Sequence, residues 1–254
     1  MKKLKGMSEI GKSLAAIGIA LAVGAVFILL VGESPVKAYG SLLHGALGSP
    51  QSIANTISKS IPLAFTGLAV ALGSRCGMLN IGAEGQLHAG AMASVLTALA
   101  LSPILPAPIV VFISVIAGIL AGMLVGSVPG IFKAKFNTSE VIVAIMLNYI
   151  CTLFTSYLVN GPVKAQGSTA QTHRLAEAVW FPRLLPKTQL TSALLLLIVV
   201  TIAVYIFLWK TSMGYQLRAV GANLSAAKTA GIKVNLYLVM SMVLSGGLAS
   251  LAGV

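Results

Sequence analysis

Residues able to do acid–base or metal chemistry are rare in this 254-residue chain. Aspartate is absent, and the five acids are Glu9, Glu33, Glu84, Glu140 and Glu177. No HExxH helix, acid pair or nucleophile constellation occurs, and no residue set has metal-ligand spacing, so most hydrolytic chemistry is excluded and no metal centre is expected. A GxxxxGK[ST] phosphate loop is missing too, and without Asp no residue stands ready to hold the magnesium of a nucleotide site. Polar residues instead gather in two places between apolar runs. One is Arg75–Gln86, reading RCGMLNIGAEGQ, which with the next residues offers Asn80, Glu84, Gln86 and His88. The other is Lys210–Lys233, reading KTSMGYQLRAVGANLSAAKTAGIK. Amides among apolar walls suit a neutral polar solute, and with Asn148 they are the candidates for lining its pathway.

The elements that hold these residues are membrane-spanning. Hydrophobic residues make up 57% of the chain and charged residues only 9%, with a mean hydropathy of +0.96; such a chain has lipid as its main solvent. The formal charge is +12, yet the 17 basic residues are scattered and form no aromatic-interleaved patch, so no nucleic-acid partner is expected. A helix needs about 20 apolar residues to cross the hydrocarbon core. The runs 13–32, 107–132, 141–160, 190–209 and 236–254 qualify, and the shorter runs 61–74 and 86–101 flank the Gly-rich turn. Together they predict an all-α polytopic protein of about seven transmembrane helices, a single domain spanning residues 1–254. The first run exceeds a signal-peptide core, which supports reading it as a span. Segments 1–12, 75–85, 132–139 and 210–235 carry 11 of the 17 basic residues. By the positive-inside rule they face the cytoplasm, which predicts a cytoplasmic N-terminus and a cytoplasmic 210–235 segment. Cys76 and Cys151 form no CxxC pattern and are expected to be free thiols.

Two stripes bear on helix packing. Ser114, Gly118, Gly122, Gly126 and Gly130 recur every four residues and place small surfaces along one side of a helix, the usual basis of close approach in lipid. Glu140, Ala144, Asn148, Cys151 and Thr155 share an arc of about 80° on the next helix, a polar stripe that should face protein or water. Glu140 also stands in the first turn, where the helix dipole favours a negative charge.

The 75–86 segment admits two readings: a tight turn at the membrane surface, or discontinuous helices bringing polar backbone to membrane depth. The 210–233 insert is too charged to span. Asn223 can start a short helix and Gly231 can end it, giving a handle of about eight residues and about 12 Å outside the bilayer. Its use would be to pass movement from a soluble partner. The competing reading is an ion-coupled secondary transporter in which Glu84, Glu140 or His88 carries protons or binds sodium.

The runs GMLNIGAEGQLHAGAMAS, FNTSEVIVAIMLNYI and GYQLRAVGANLSAAKTAGIKVNLYLVMSMVLSGGLASLAG resemble the permease subunits of bacterial ABC importers. The similarity falls in the branch shared by branched-chain amino acid, monosaccharide and nucleoside systems. It is nearest the nucleoside or simple-sugar permeases that work with basic membrane protein type lipoproteins, and it covers the chain from about residue 13 onward. It implies a multi-pass protein of the bacterial cytoplasmic membrane paired with a second, related permease. It further implies two cytoplasmic ATPase subunits that bind the ATP and magnesium, none being bound here, and an extracellular substrate-binding lipoprotein. The RAVGANLSAAKTAGI stretch matches the family's coupling segment, making Gly221, Asn223, Ala226, Ala227 and Gly231 the candidate ATPase contacts. Purine nucleosides are the expected cargo, with simple sugars or branched-chain amino acids as alternatives. Family members usually continue for about three more helices, so a C-terminally truncated form is expected.

Overall fold

The structure is a computed structural model that describes residues 2–186 and 188–254, with side chains from Gly11 onward. The described residues are mostly helical, without a β-strand. They form α1 (Lys2–Leu30), α2 (Pro35–Leu47), α3 (Pro50–Arg75), α4 (Ala83–Leu101), α5 (Ala107–Phe136), α6 (Glu140–Asn160), α7 (Ala193–Lys210), α8 (Ser212–Ala222), α9 (Leu224–Thr229) and α10 (Val234–Ser250). Five of these are long and apolar enough to cross a membrane, namely α3, α5, α6, α7 and the Gly11–Leu30 part of α1. With α4 and α10 they account for the seven runs expected from hydropathy. Cys76 and Cys151 are free thiols.

Two differences from the sequence reading stand out. The short run at 61–74 is the second half of the 26-residue helix α3, which carries Pro62 inside it. The α2 helix, with Pro35 in its first turn, lies where hydropathy suggested an outer loop. Both helices contain enough Ser, Gln, Asn, Lys and His to break an apolar run, and Pro50 and Pro35 stand at first-turn positions where a proline is tolerated.

The chain divides into two compact units, Met1–Ile57 and Ser58–Val254. In the first, Tyr39 Oη donates to Leu21 O at 2.7 Å and Thr56 Oγ1 donates to Ala46 O at 2.9 Å. The second is built around the crossing of α5 with α4 and α10. Ser114, Gly118, Gly122, Gly126 and Gly130 are all buried on one face of α5. A methyl added at Gly122 would run into Gly246 O of α10; one at Gly126 would sit 2.5 Å from Met242 O and 3.0 Å from the Gly246 Cα. One at Gly118 would sit 3.1 Å from Gly90 O of α4. These helices meet backbone to backbone, so the stripe serves packing within the chain. Its opposite face, with Phe112, Leu120 and Leu124, is exposed and suited to lipid. On α6 the arc from Glu140 through Ala144, Asn148, Cys151 and Thr155 is buried or half-buried, while Ile142, Met146, Tyr149 and Leu153 are exposed.

Candidate functional site

At one end of the second unit, α7 turns into α8 through Thr211. Its Oγ1 donates to Phe207 O at 2.6 Å and accepts from Gly214 N at 3.1 Å, ending one helix and capping the next. Gly214 permits the tight turn, because a Cβ there would collide with Phe207 O. Leu217 and Val220 then drive α8 into a core with Leu72, Met78, Leu208, Tyr237 and Met242. Arg218 Nε donates to Leu208 O at 3.0 Å, and its guanidinium lies 4.1 Å from the centroid of the Trp209 ring. Arg75 approaches the same ring at 5.7 Å, so two cations flank one indole at the ends of α3 and α7.

The short helix α9 is defined at both ends by local chemistry. Asn223 Oδ1 accepts from Ala226 N at 3.0 Å, and Gly231 adopts φ +81° beyond the C-terminus. Gly231 N donates to Lys228 O at 3.1 Å and Ile232 N to Ala227 O at 3.0 Å, the paired bonds of a Schellman ending. Ala227 is the buried residue of α9 and seats it on the core, whereas Leu224, Ser225, Ala226, Lys228 and Thr229 are exposed. Leu224 is 50% exposed, an apolar side chain turned out of a helix that lies outside the spans. Gly221, at the end of α8, rests on the backbone of Arg75 and Cys76; a side chain there would strike Arg75 O. The segment therefore stands directly on the turn between α3 and α4.

That turn is fastened by amides. Asn80 and Gln86 are each only 1% exposed. Asn80 Nδ2 donates to Gln86 Oε1 at 2.8 Å and to Ser245 Oγ of α10 at 2.7 Å. Its Oδ1 accepts from Gly82 N at 3.0 Å and from Gln86 Nε2 at 3.1 Å. Ser245 Oγ in turn donates to Ala69 O of α3 at 2.6 Å. Asn148 of α6 grips the same turn from outside the knot: its Oδ1 accepts from Gly85 N at 2.8 Å and its Nδ2 donates to Ile81 O at 2.9 Å. A buried network satisfied in this way rigidifies what it joins. Burial pushes the neighbouring Cys76 thiol up to about 11, so it stays a neutral donor, to Tyr237 O at 3.4 Å.

The structure thus brings Asn80, Gln86 and Asn148 together, and packs Gly221 against the turn they hold. The 75–86 segment is a turn at the Trp209 end of the helices, beside α8. Glu84 is exposed in the first turn of α4 and His88 is half-buried one turn on. Glu140 pairs with Lys133 at 3.0 Å across the turn between α5 and α6. Sequence reasoning missed α8 as a separate helix and Ser245 as the hub between α3, α4 and α10. A serine in a small-residue helix looks like packing until its neighbours are known.

About 15 to 25 Å along α3 from Arg75, by the rise of about 1.5 Å per residue, lies a cavity of about 510 Å³, walled in part by Leu251, Ala252 and Val254. Ile61, Phe65, Ser94, Val111 and Ser114 contribute to its walls, and Trp180 and Gln189 come from the connection between α6 and α7.

Apolar helices locked by backbone-close crossings, with a capped helix outside the spans, define a multi-pass membrane protein. The chain belongs to the family described as branched-chain amino acid transport system, permease component, whose model matches residues 52–254. It is similar to the nucleoside ABC transporter permease protein NupB of Lactococcus lactis, 34% identical over 250 residues, covering 95% of this chain and 68% of that protein. It is also similar to the guanosine ABC transporter permease protein NupP of Bacillus subtilis, 34% identical over 253 residues, covering 98% of this chain and 72% of that one. The glucose ABC transporter permease protein TsgB13 of Haloferax volcanii is 31% identical over 255 residues, covering 96% and 67%. No solved structure matches the chain. It is a multi-pass membrane permease of the ABC importer type.

Proposed function

We propose that this permease subunit carries nucleosides, purine nucleosides such as guanosine among them, across the cytoplasmic membrane. The observation that carries this reading is the pair of relatives named for nucleoside and guanosine transport, each matched over nearly all of this chain at 34% identity. In this reading the N-terminus and the α8–α9 segment face the cytoplasm, in keeping with the excess of Lys and Arg on that side. ATP and magnesium are bound by a separate ATPase, which docks on the exposed side of α9. Ala226 and its exposed neighbours make the contact, while Asn223 and Gly231 fix the helix ends. Ala227 seats α9 and Gly221 passes its movement to the Asn80–Gln86 turn. Glu84 and Asn148 border the translocation route at this end, and the sealed Asn80 and Gln86 hold the shape of the turn that carries them. A second, related permease completes the membrane domain, and an extracellular lipoprotein delivers the solute.

The test is uptake of radiolabelled guanosine by a strain lacking, then regaining, the operon that encodes this chain. ATP-dependent guanosine uptake that returns with the operon is the expected result. Restored glucose uptake without guanosine uptake would refute the nucleoside assignment, and uptake that survives ATP depletion but stops when the ion gradient collapses would refute the ABC mechanism.

A further inference from the structure

Trp209 stands in the last turn of α7, where an apolar span gives way to charge. Leu195, Ile198, Val199, Ile202 and Ile206 lie on the same side of that helix and are all exposed, an apolar stripe at helical spacing that runs up to the indole. The helix is long and apolar enough to cross a membrane, so the stripe suits lipid tails. The half-exposed indole at its end then lies at the level of the headgroups, the usual place of an interfacial tryptophan.

Two guanidiniums converge on that ring, Arg218 at 4.1 Å and Arg75 at 5.7 Å from its centroid, and so lie within about 10 Å of one another. Lys210, the next residue along the chain, is exposed beside them. A guanidinium that gives its face to an aromatic ring keeps its N–H donors in its own plane, free for other partners. Arg218 uses its Nε on Leu208 O, and the exposed Arg75 uses none of its donors on the described residues. Neither has a carboxylate, since among the described residues the ion pair is Lys133 with Glu140.

An apolar stripe headed by unclaimed cationic donors matches the two parts of an anionic phospholipid. Phosphate oxygens fit the planar fork of arginine, and cations at this depth are drawn to anionic headgroups. A zwitterionic headgroup brings an ammonium that three cations repel, and a soluble anion would make no use of the stripe. We propose that the Arg75, Trp209 and Arg218 cluster binds one anionic phospholipid, its phosphate on the free N–H groups of Arg75 and Arg218 with Lys210 beside them, and its acyl chain along Ile202 and Ile206. Arg218 belongs to α8, and Gly221 of the same helix rests on the backbone of Arg75. A lipid held here braces α8 against the turn between α3 and α4, whatever solute the permease carries.

Trp209 is itself the reporter. The chain has two tryptophans, so W180F leaves Trp209 as the one indole. Purified W180F chain is placed in phosphatidylcholine nanodiscs containing, at one low mole fraction, either phosphatidylglycerol or phosphatidylcholine brominated in the upper acyl chain. Brominated phosphatidylglycerol should quench Trp209 the more strongly. R75Q should cut that preference about fivefold, the worth of about one cation at an anionic headgroup, and R75K should keep most of it. K210Q, with a smaller cut in the same direction, serves should R75Q fail to fold. Quenching by brominated phosphatidylcholine should be the same in every variant, which a general loss of structure around the ring would not allow. Equal quenching by the two lipids, or a preference that survives both R75Q and K210Q, overturns the site. Loss of the preference on adding inorganic phosphate would make it a soluble-anion site and refute the lipid, and no quenching by either lipid would place Trp209 against protein and refute it too.

Discussion

The two ends of the second unit treat buried polar groups in opposite ways. Around the α3–α4 turn, Asn80 and Gln86 are sealed from solvent and their amides are spent on one another, on Gly82 N and on Ser245 Oγ. Near the far end of α5, Ser114 is buried with nothing to bond. The difference teaches which amides to read as architecture. A fully paired network holds a turn on which the α8–α9 segment rests, whereas an unpaired hydroxyl holds nothing in place. Burial was alike at both places; satisfaction distinguishes them.

The comparison can be broken or sharpened by substitution. The largest effect belongs to the packing that frames both ends: Gly126→Leu would drive a side chain into Met242 O and the Gly246 backbone, costing about 3 kcal/mol or more. Loss of folded, protease-resistant protein from the membrane is the expected readout, and normal abundance would mean that the α5–α10 crossing is looser than described. Asn80→Ala follows. It leaves Gln86 and Gly82 N short of partners, costs about 2–3 kcal/mol, and should lower the thermal unfolding midpoint in detergent. A smaller and more local effect is expected of Asn223→Ala, which removes the α9 cap. About 1 kcal/mol is at stake, seen as several-fold faster amide exchange at Ala226 with the rest of the protein unchanged. Ser114→Ala should be the smallest, within about 0.5 kcal/mol of wild type and on the stabilising side, because it deletes a buried hydroxyl that bonds to nothing. A midpoint drop for Ser114→Ala as large as that for Asn80→Ala would erase the contrast between the two ends.

How far these features could be read from the sequence depended on whether their chemistry is local. The ends of α9 were legible in Asn223 and Gly231 because caps act on neighbours three or four residues away. The buried side of α6 was legible in the spacing of Glu140, Ala144 and Asn148, and the α5 stripe in its four-residue period. The start of α3 was not, since Gln51, Ser52, Asn55 and Lys59 interrupt the apolar run that hydropathy detects, although helical geometry tolerates all of them. Ser245 and Ser114 were illegible as well. Each is a serine in an apolar helix, and only the neighbour opposite, an Asn80 amide for one and a cavity for the other, makes them different. Trp180 escaped for the same reason, standing in a connecting segment without a periodic pattern. Of the five residues expected to meet an ATPase, Ala227 faces inward because α9 must bury one small residue to stay seated.

The central claim is that α9 presents an outward face through which ATP hydrolysis drives this permease. It is tested most directly by ATP-dependent uptake of radiolabelled guanosine in cells carrying the complete operon with Ala226→Glu in place of wild type. Ala226 is exposed and its substitution should leave the fold intact, while a carboxylate placed in a close contact should cut uptake by about tenfold or more at equal membrane abundance. Uptake equal to wild type at equal abundance would contradict the account.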